Sequence, residues 1–322
     1  MKNYRQTILV LCMLLGSLIS DAQDFSKIDS FARSVELNRM SMLQLTDSLT
    51  RPCRNDLEKV RSIFVWIAHN IAYDYEKLGI SESDTNAYLT HALFDDKLLI
   101  KNVLERKKGI CYDYSFLFRA MCNLSGIESK MISGYAKTSY KEIGVIFTKT
   151  NHAWNAVRIG GKWHLLDVTW ASERRYDDNK VERINEAYFL TPPSKMILDH
   201  LPKEEMWQLL DQKVDEKKFF DFPHIYPNYL KYQIQGFSPG MGLIPADGQE
   251  VTISVKMAKT TRDLRLVEED KVLEDFMPVY DNGSYKFQYS VSEETEGDNV
   301  SIAIRNDEGS FDVIITYKLV ED

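Results

Sequence analysis

The chain has 322 residues and a net charge of -8 at pH 7, and 44% of its residues are hydrophobic and 27% charged. This mildly acidic balance excludes a broad basic surface for nucleic acid and disfavours adhesion to anionic lipid. The length is sufficient for about two domains, each with its own core.

The first residues have the composition of a secretory signal peptide. Lys2 and Arg5 precede an apolar run over residues 8–19, and Ser20-Asp21-Ala22 follows it. This pattern predicts cleavage after Ala22 and an extracytoplasmic product, either secreted or periplasmic. The run is short for a membrane span and no later segment is apolar enough, so no stable span is expected after cleavage. A retained amino-terminal anchor is the alternative.

Hydrophobic periodicity predicts a helical half that is followed by strands. Apolar residues at three- and four-residue steps predict helices over residues 25–49, 56–72, 98–106 and 111–124. Shorter runs predict strands over residues 128–137, 143–148, 151–159 and 162–170. Gly160-Gly161 joins the last two as a hairpin turn. Helices beside an antiparallel sheet make this an α+β arrangement.

After about residue 230, short runs with alternating side chains replace the helical pattern. They cover residues 251–255, 285–289, 301–304 and 313–317. Turn signals such as Asp281-Asn282-Gly283 separate them, which predicts a small all-β, immunoglobulin-like sandwich. The expected organisation is a signal peptide (1–22), a mixed domain with an amino-terminal helical region (23–230) and the sandwich (231–322).

Cys111 stands at the start of a predicted helix, within Gly109-Ile110-Cys111-Tyr112-Asp113-Tyr114. The free N–H groups and the positive end of the helix dipole favour a thiolate there, although the charge of Asp113 acts against it. Cys53 and Cys122 also survive the predicted cleavage, and an odd count leaves at least one thiol free. The helix start favours Cys111 as a nucleophile over the alternative of a core cysteine.

The hairpin predicts which histidine meets Asp167. With a two-residue turn at Gly160-Gly161, His152 pairs with Thr169. His152 is then a diagonal neighbour of Asp167 on one face, whereas His164 lies on the other. A thiol, an imidazole and an orienting carboxylate are what nucleophilic acyl transfer requires. A buried hydrogen-bonded pair without a catalytic role is the alternative.

A zinc site is the competing chemistry. His152, His164 and Asp167 have suitable ligand types, but the two histidines are expected on opposite faces of the hairpin. The sequence has no His-x-x-x-His and no Cys-x-x-Cys. Neither a metal nor another cofactor is therefore expected.

Three segments together resemble the core of the transglutaminase-like superfamily. They are Gly109-Ile110-Cys111, Asn151-His152-Ala153-Trp154-Asn155 and Leu166-Asp167-Val168-Thr169-Trp170. Further segments resemble the kyphoscoliosis-peptidase-like branch, namely Tyr188-Phe189-Leu190-Thr191-Pro192-Pro193, His200-Leu201-Pro202 and Trp207-Gln208-Leu209-Leu210. The resemblance implies a papain-like triad in which Cys111 is the nucleophile, His152 the general base and acid, and Asp167 the residue that orients the imidazole.

The resemblance implies a cysteine-dependent acyl-transfer enzyme that acts on peptide or protein amides through a thioester, and the signal-peptide pattern predicts that it works outside the cytoplasm. Hydrolysis, as in a peptidase or deamidase, is expected rather than crosslinking, and a cell-wall peptide is one candidate substrate. The alternative is a non-catalytic binding or scaffolding protein on the same fold.

Overall fold

The structure is a computed structural model. It describes residues 24–77, 96–172, 184–269, 271–291 and 297–321. The predicted signal peptide and its cleavage site lie outside the described residues. Within these ranges, no helix has both the length and the apolar character that crossing a bilayer requires.

The helices lie mainly in the amino-terminal half, as predicted. The α-helices of the described residues are α1 (Ser26–Ser34), α2 (Met42–Thr50), α3 (Asp56–Asn70), α4 (Asp96–Arg106), α5 (Cys111–Leu124), α6 (Val168–Ala171), α7 (Pro193–Met196), α8 (Glu216–Asp221) and α9 (Asn228–Lys231). Short 3-10 helices cover Tyr140–Glu142, Glu186–Tyr188 and Glu205–Gln208.

The region predicted to be helical over residues 25–49 forms two helices, α1 and α2, with a turn between them. Asn38 and Arg39 adopt positive φ angles of 33° and 60° in that turn. The Ser41 hydroxyl then accepts the Gln44 N–H, and the Gln44 side-chain oxygen accepts the Ser41 N–H. This reciprocal cap begins a new helix and fixes its first residue.

One antiparallel sheet, in the order β5-β4-β3-β6, lies beside the helices. Its strands are β3 (Ser129–Ala136), β4 (His152–Ile159), β5 (Lys162–Leu166) and β6 (His200–Pro202), and a separate parallel pair is formed by β1 (Ala72–Tyr73) and β2 (Lys108–Gly109). The predicted turn is confirmed, since Ile159 pairs with Lys162. Gly160 and Gly161 have φ angles of 58° and 80°, as a type I′ turn requires.

Two strand predictions in this half are wrong. Residues 143–148 do not form a strand, and Val145 and Ile146 are 44% and 56% exposed. Strand β5 ends at Leu166 rather than at residue 170, because Asp167 caps α6 and turns the chain into a helix. His152 therefore has no strand partner at Thr169.

The carboxy-terminal part is an all-β sandwich, as predicted. Its strands are β7 (His224–Ile225), β8 (Gly236–Ser238), β9 (Leu243–Pro245), β10 (Val251–Lys256), β11 (Leu264–Glu268), β12 (Lys271–Leu273), β13 (Val279–Asp281), β14 (Ser284–Tyr289), β15 (Asn299–Arg305) and β16 (Phe311–Val320). One sheet has the order β13-β14-β10-β8, and the other has the order β12-β11-β15-β16-β7 with β9 beside β16.

The buried apolar residues form separate clusters that follow this division. One cluster joins α1–α3 and α5 to the first sheet, with Trp66, Phe118 and Trp154 among its largest side chains. Another lies in the sandwich and includes Phe287 and Tyr317. Each part thus buries an apolar core of its own, which is the usual basis of a domain.

We expect a chain shortened to end at Gln235 to stay folded and to keep a reactive thiol at Cys111. The reason is that, among the residues that the structure describes, the first cluster contains none after position 235. Thermal unfolding followed by circular dichroism, together with thiol labelling, measures both properties. An insoluble shortened protein, or one cooperative transition of the full chain by every probe, would contradict independent domains. Strand β7 loses its partner β16 in this variant, and Ile225, Tyr229 and Ile234 lose the sandwich core in which they are buried, so a loss of stability is part of the expectation.

Candidate active site

Cys111 is the first residue of α5, as the sequence predicted. The Asp113 carboxylate accepts the Ile110 N–H at 2.9 Å and so caps the helix. Gly109 permits this arrangement, because a Cβ at that position would lie 2.7 Å from the Asp113 Cβ. The Cys111 side chain is buried, and its place at the helix start sets it beside the backbone N–H groups of the first turn, which are suited to binding an oxyanion.

The charge of Asp113 is balanced by a neighbouring cation. Lys77 Nζ lies 2.6 Å from the same Asp113 oxygen that caps the helix. Asp113 is buried, so this pair acts with little screening by water. Lys77 therefore offsets the negative charge that the sequence analysis placed against a thiolate at Cys111.

Hydrogen bonds fix α5 against β4, the strand that carries His152. The Ser115 hydroxyl donates to the Ala153 carbonyl at 2.8 Å, and the Asn155 side chain donates to the Ser115 carbonyl at 3.0 Å. At the same end of the helix, the Tyr114 hydroxyl donates to the Ile71 carbonyl. These contacts hold the helix start and the strand start in one fixed arrangement.

His152 lies between Cys111 and Asp167. Its Nε2 is 2.6 Å from Asp167 Oδ2, which leaves Nδ1 as the ring nitrogen that is available to the Cys111 side chain. Burial by itself lowers the pKa of His152, but the charges and hydrogen bonds of Asp167 and Cys111 outweigh it and raise that pKa. The structure thus brings the three predicted site residues together in the order that a thiol–imidazole–carboxylate relay requires.

Asp167 is held from both sides of its carboxylate. Oδ1 accepts the backbone N–H groups of Thr169 at 2.7 Å and Trp170 at 3.1 Å, which makes Asp167 the N-cap of α6. Oδ2 accepts from His152 and also faces His200 Nε2 at 3.1 Å. Burial raises the pKa of this carboxyl, but the two histidines lower it well below its ordinary value. Asp167 is therefore an ionised acceptor whose orientation is fixed.

His200 is the residue of this cluster that the sequence analysis did not predict. Its segment contributed to the resemblance with the kyphoscoliosis-peptidase-like branch, but no role in the site was assigned to it. His200 Nδ1 lies 2.5 Å from Asp199 Oδ1, and Asp199 Oδ2 accepts the Tyr188 hydroxyl at 2.9 Å. A buried chain of hydrogen bonds therefore continues beyond Asp167, away from the thiol.

The other residues considered from the sequence lie outside the cluster. His164 pairs with Val157 in the hairpin and is half-buried. Cys53 and Cys122 are free thiols, and burial raises the pKa of each. Neither thiol is therefore favoured as a nucleophile.

A metal ion is the other use to which such a cluster is put. Ligand atoms of His152, Asp167 and His200 lie within 4.8 Å of one another. However, both histidines approach a single carboxylate oxygen at hydrogen-bond distances, and hydrogen bonding accounts for all three side chains. That no metal takes part stays a prediction. The set of candidate metal ligands is corrected in one respect, since its second histidine is His200 and not His164.

Comparison with known proteins supports the resemblance. The profile of the "Transglutaminase-like superfamily" matches residues 43–168, a range that includes Cys111, His152 and Asp167. The chain is 30% identical to human "Kyphoscoliosis peptidase" over 252 residues, which is 77% of this chain and 36% of that protein. It spans about a third of the length of that relative.

Two further relatives are more distant. "Hillarin" of Drosophila melanogaster is 26% identical over 262 residues, which is 76% of this chain and 30% of that protein. "Cytokinesis protein 3" of Saccharomyces cerevisiae is 24% identical over 184 residues, 56% of this chain and 19% of the relative. The profile match and the kyphoscoliosis peptidase similarity both support the resemblance of residues 43–168 to the core of the transglutaminase-like superfamily, and the second also supports the resemblance to the kyphoscoliosis-peptidase-like branch.

Proposed function

We propose that this protein is a cysteine-dependent acyl-transfer enzyme that hydrolyses amide bonds of peptides or proteins. The observation that carries the proposal is the buried relay from Cys111 through His152 to Asp167, with the cysteine at a helix start. A histidine held between a thiol and a fixed carboxylate supports a thiolate–imidazolium pair, which is the reactive state of cysteine nucleophiles.

In the proposed reaction, the Cys111 thiolate attacks the amide carbonyl and forms a C–S bond, while the carbonyl oxygen becomes an oxyanion. Backbone N–H groups at the start of α5, including that of Cys111, stabilise this charge. His152 gives its proton to the leaving nitrogen as the C–N bond breaks, which leaves a thioester and a neutral amine. Water then attacks the thioester, His152 accepts its proton, and the acid product departs from the restored thiolate.

Water is the proposed acyl acceptor, rather than an amine. This choice of water is supported by the name of the human relative, because a peptidase hydrolyses amide bonds. With an amine as acceptor, the same thioester would give transamidation. We also propose that the enzyme works outside the cytoplasm, as the amino-terminal sequence pattern indicates.

We expect iodoacetamide to alkylate Cys111 at pH 6 at least about ten times faster than Cys53 or Cys122. Only the thiolate reacts with iodoacetamide, and an ordinary thiol is below about 1% ionised at pH 6. A thiolate that is paired with an imidazolium remains ionised at that pH. Mass spectrometry of proteolysed samples taken over time measures each cysteine separately. Cys111→Ser should remove the fast-reacting site, and Cys53→Ser serves as the matched control that keeps it.

Preferential labelling of Cys53 or Cys122 would overturn the assignment of Cys111. If Cys111 reacts fast, incubation with peptide libraries and cell-wall peptides, followed by detection of new amino termini or released ammonia, distinguishes a peptidase from a deamidase. A reactive thiol without turnover of any amide, but with stable peptide binding, would favour the scaffolding alternative.

A further inference from the structure

His200 occupies the far side of Asp167 from His152. It is the first residue of β6 and pairs with Ala136 of β3, the strand that lies between β4 and β6. His152 and His200 approach the same Asp167 oxygen, at 2.6 Å and 3.1 Å, and their ring centroids are 5.2 Å apart. The two imidazoles therefore share one carboxylate.

The contacts of His200 favour its doubly protonated form, the imidazolium. Each ring nitrogen faces a carboxylate oxygen, one of Asp199 and one of Asp167. Ionised carboxylates only accept hydrogen bonds, so both nitrogens of His200 must donate, and an imidazole that donates twice is an imidazolium. The remaining oxygens of both carboxylates also face donors, namely the Tyr188 hydroxyl and two backbone N–H groups.

Aromatic rings hold this imidazolium in place. Trp154, Trp170 and Tyr188 pack around His200 in T-shaped contacts, with ring centroids 5.0, 4.5 and 5.8 Å away. Burial alone lowers the pKa of His200, but Asp199 and Asp167 outweigh it and raise that pKa to about 9. The positive charge is thus present at neutral pH and acts through protein rather than through water.

We propose that His200 is a positioning residue of the proposed active site, which fixes the Asp167 carboxylate and sets the pH range over which Cys111 and His152 are reactive. The proposal rests on the proposed thiol chemistry. A second positive charge beside Asp167 divides the attraction of that carboxylate between two imidazoles and lowers the pH at which the Cys111–His152 pair loses its first proton.

Other titratable groups lie around His200 and are included in this expectation. Asp199 is hydrogen-bonded to His200, and Tyr188 packs against the His200 ring and donates its hydroxyl to Asp199. Lys137 and His224 are both buried and interact with the charge of Asp199. Burial lowers the pKa of Lys137 to about 7, and burial together with the charge of Lys137 lowers the pKa of His224 to about 4. Both groups interact with the charge of Asp199, whereas His200 contacts Asp167 itself, so the charge of His200 is expected to act on Asp167 more directly.

The test is the pH dependence of Cys111 alkylation by iodoacetamide in full-length His200→Gln, with melting temperature measured in parallel. We expect the pH at which alkylation reaches half of its plateau to rise by about one unit, because a positive charge near the pair is lost. His164→Gln makes the same exchange outside the cluster and should leave the midpoint unchanged.

Asp199→Asn provides a second variant that does not remove His200. In Asp199→Asn, the His200 imidazolium should persist only at lower pH. The pH profile of Cys111 alkylation in this variant should therefore follow the wild type at acidic pH and His200→Gln at alkaline pH. This variant also tests the proposal if His200→Gln does not fold.

A lowered melting temperature with an unmoved midpoint in both variants would show that His200 is only structural and would overturn the inference. An ordinary thiol profile for Cys111 in the wild type would overturn the proposed function and this inference with it. A low wild-type midpoint that is unchanged in the variants would overturn the inference alone.

Discussion

His152→Ala is expected to lower amide hydrolysis by about 10⁴-fold and to remove the fast alkylation of Cys111 at pH 6. Without the imidazole, the thiol loses its cationic partner and the leaving nitrogen loses its proton donor. The rate constant for alkylation at pH 6, and turnover of a peptide identified by the substrate screen, measure these two effects separately.

The matched control for this variant is His164→Ala on the same hairpin. His164 is half-buried and pairs with Val157, so its replacement should affect mainly stability. Loss of activity in His164→Ala at unchanged melting temperature would contradict the assignment of His152. Near-normal turnover in His152→Ala would contradict the proposed mechanism itself.

Asp167→Asn should lower turnover by about 10⁴-fold, by analogy with the same exchange in a serine triad. The contacts of Asp167 explain why an amide fails in either orientation. In one orientation, the NH₂ group of the asparagine faces the N–H donors of His152 and His200. In the other orientation, it faces the backbone N–H groups of Thr169 and Trp170. One set of buried donors is left unpaired, which also costs about 1–3 kcal/mol of stability.

Steady-state kinetics and thermal unfolding of Asp167→Asn separate the catalytic loss from the structural one. The variant is expected to remain folded at 25 °C, with kcat reduced far more than substrate binding. Turnover close to that of the wild type would mean that Asp167 serves only as a helix cap. His200→Gln gives a useful comparison, because it removes a contact to Asp167 and keeps the carboxylate.

Local patterns predicted the elements that carry the site. The helix beginning at Cys111 and the turn at Gly160-Gly161 both depend on residues close in sequence, and the structure has them as predicted. The approach of Asp167 to His152 followed from that hairpin, even though the predicted strand beyond Leu166 was wrong. The side-chain cap of Asp167 on α6 overrode the β-branched and aromatic residues that favoured a longer strand.

The contribution of His200 could not be predicted in the same way. It lies in a three-residue strand, 33 residues after Asp167, and reaches the site only because β6 pairs with β3 on the side away from β4. Such non-local pairing leaves no periodicity in the sequence. Lys77 escaped notice for a similar reason, since its partner Asp113 is 36 residues away.

The double attachment of Asp167 has an evolutionary consequence. A descendant released from selection for catalysis could exchange Cys111 for serine, altering one buried atom at an intact helix start. Loss of Asp167 would instead unpair the start of α6 and two histidines, so selection for a folded protein alone would retain it. Among relatives of this chain, a retained histidine and aspartate is therefore weak evidence of enzyme activity, and the residue at the position of Cys111 is the informative one.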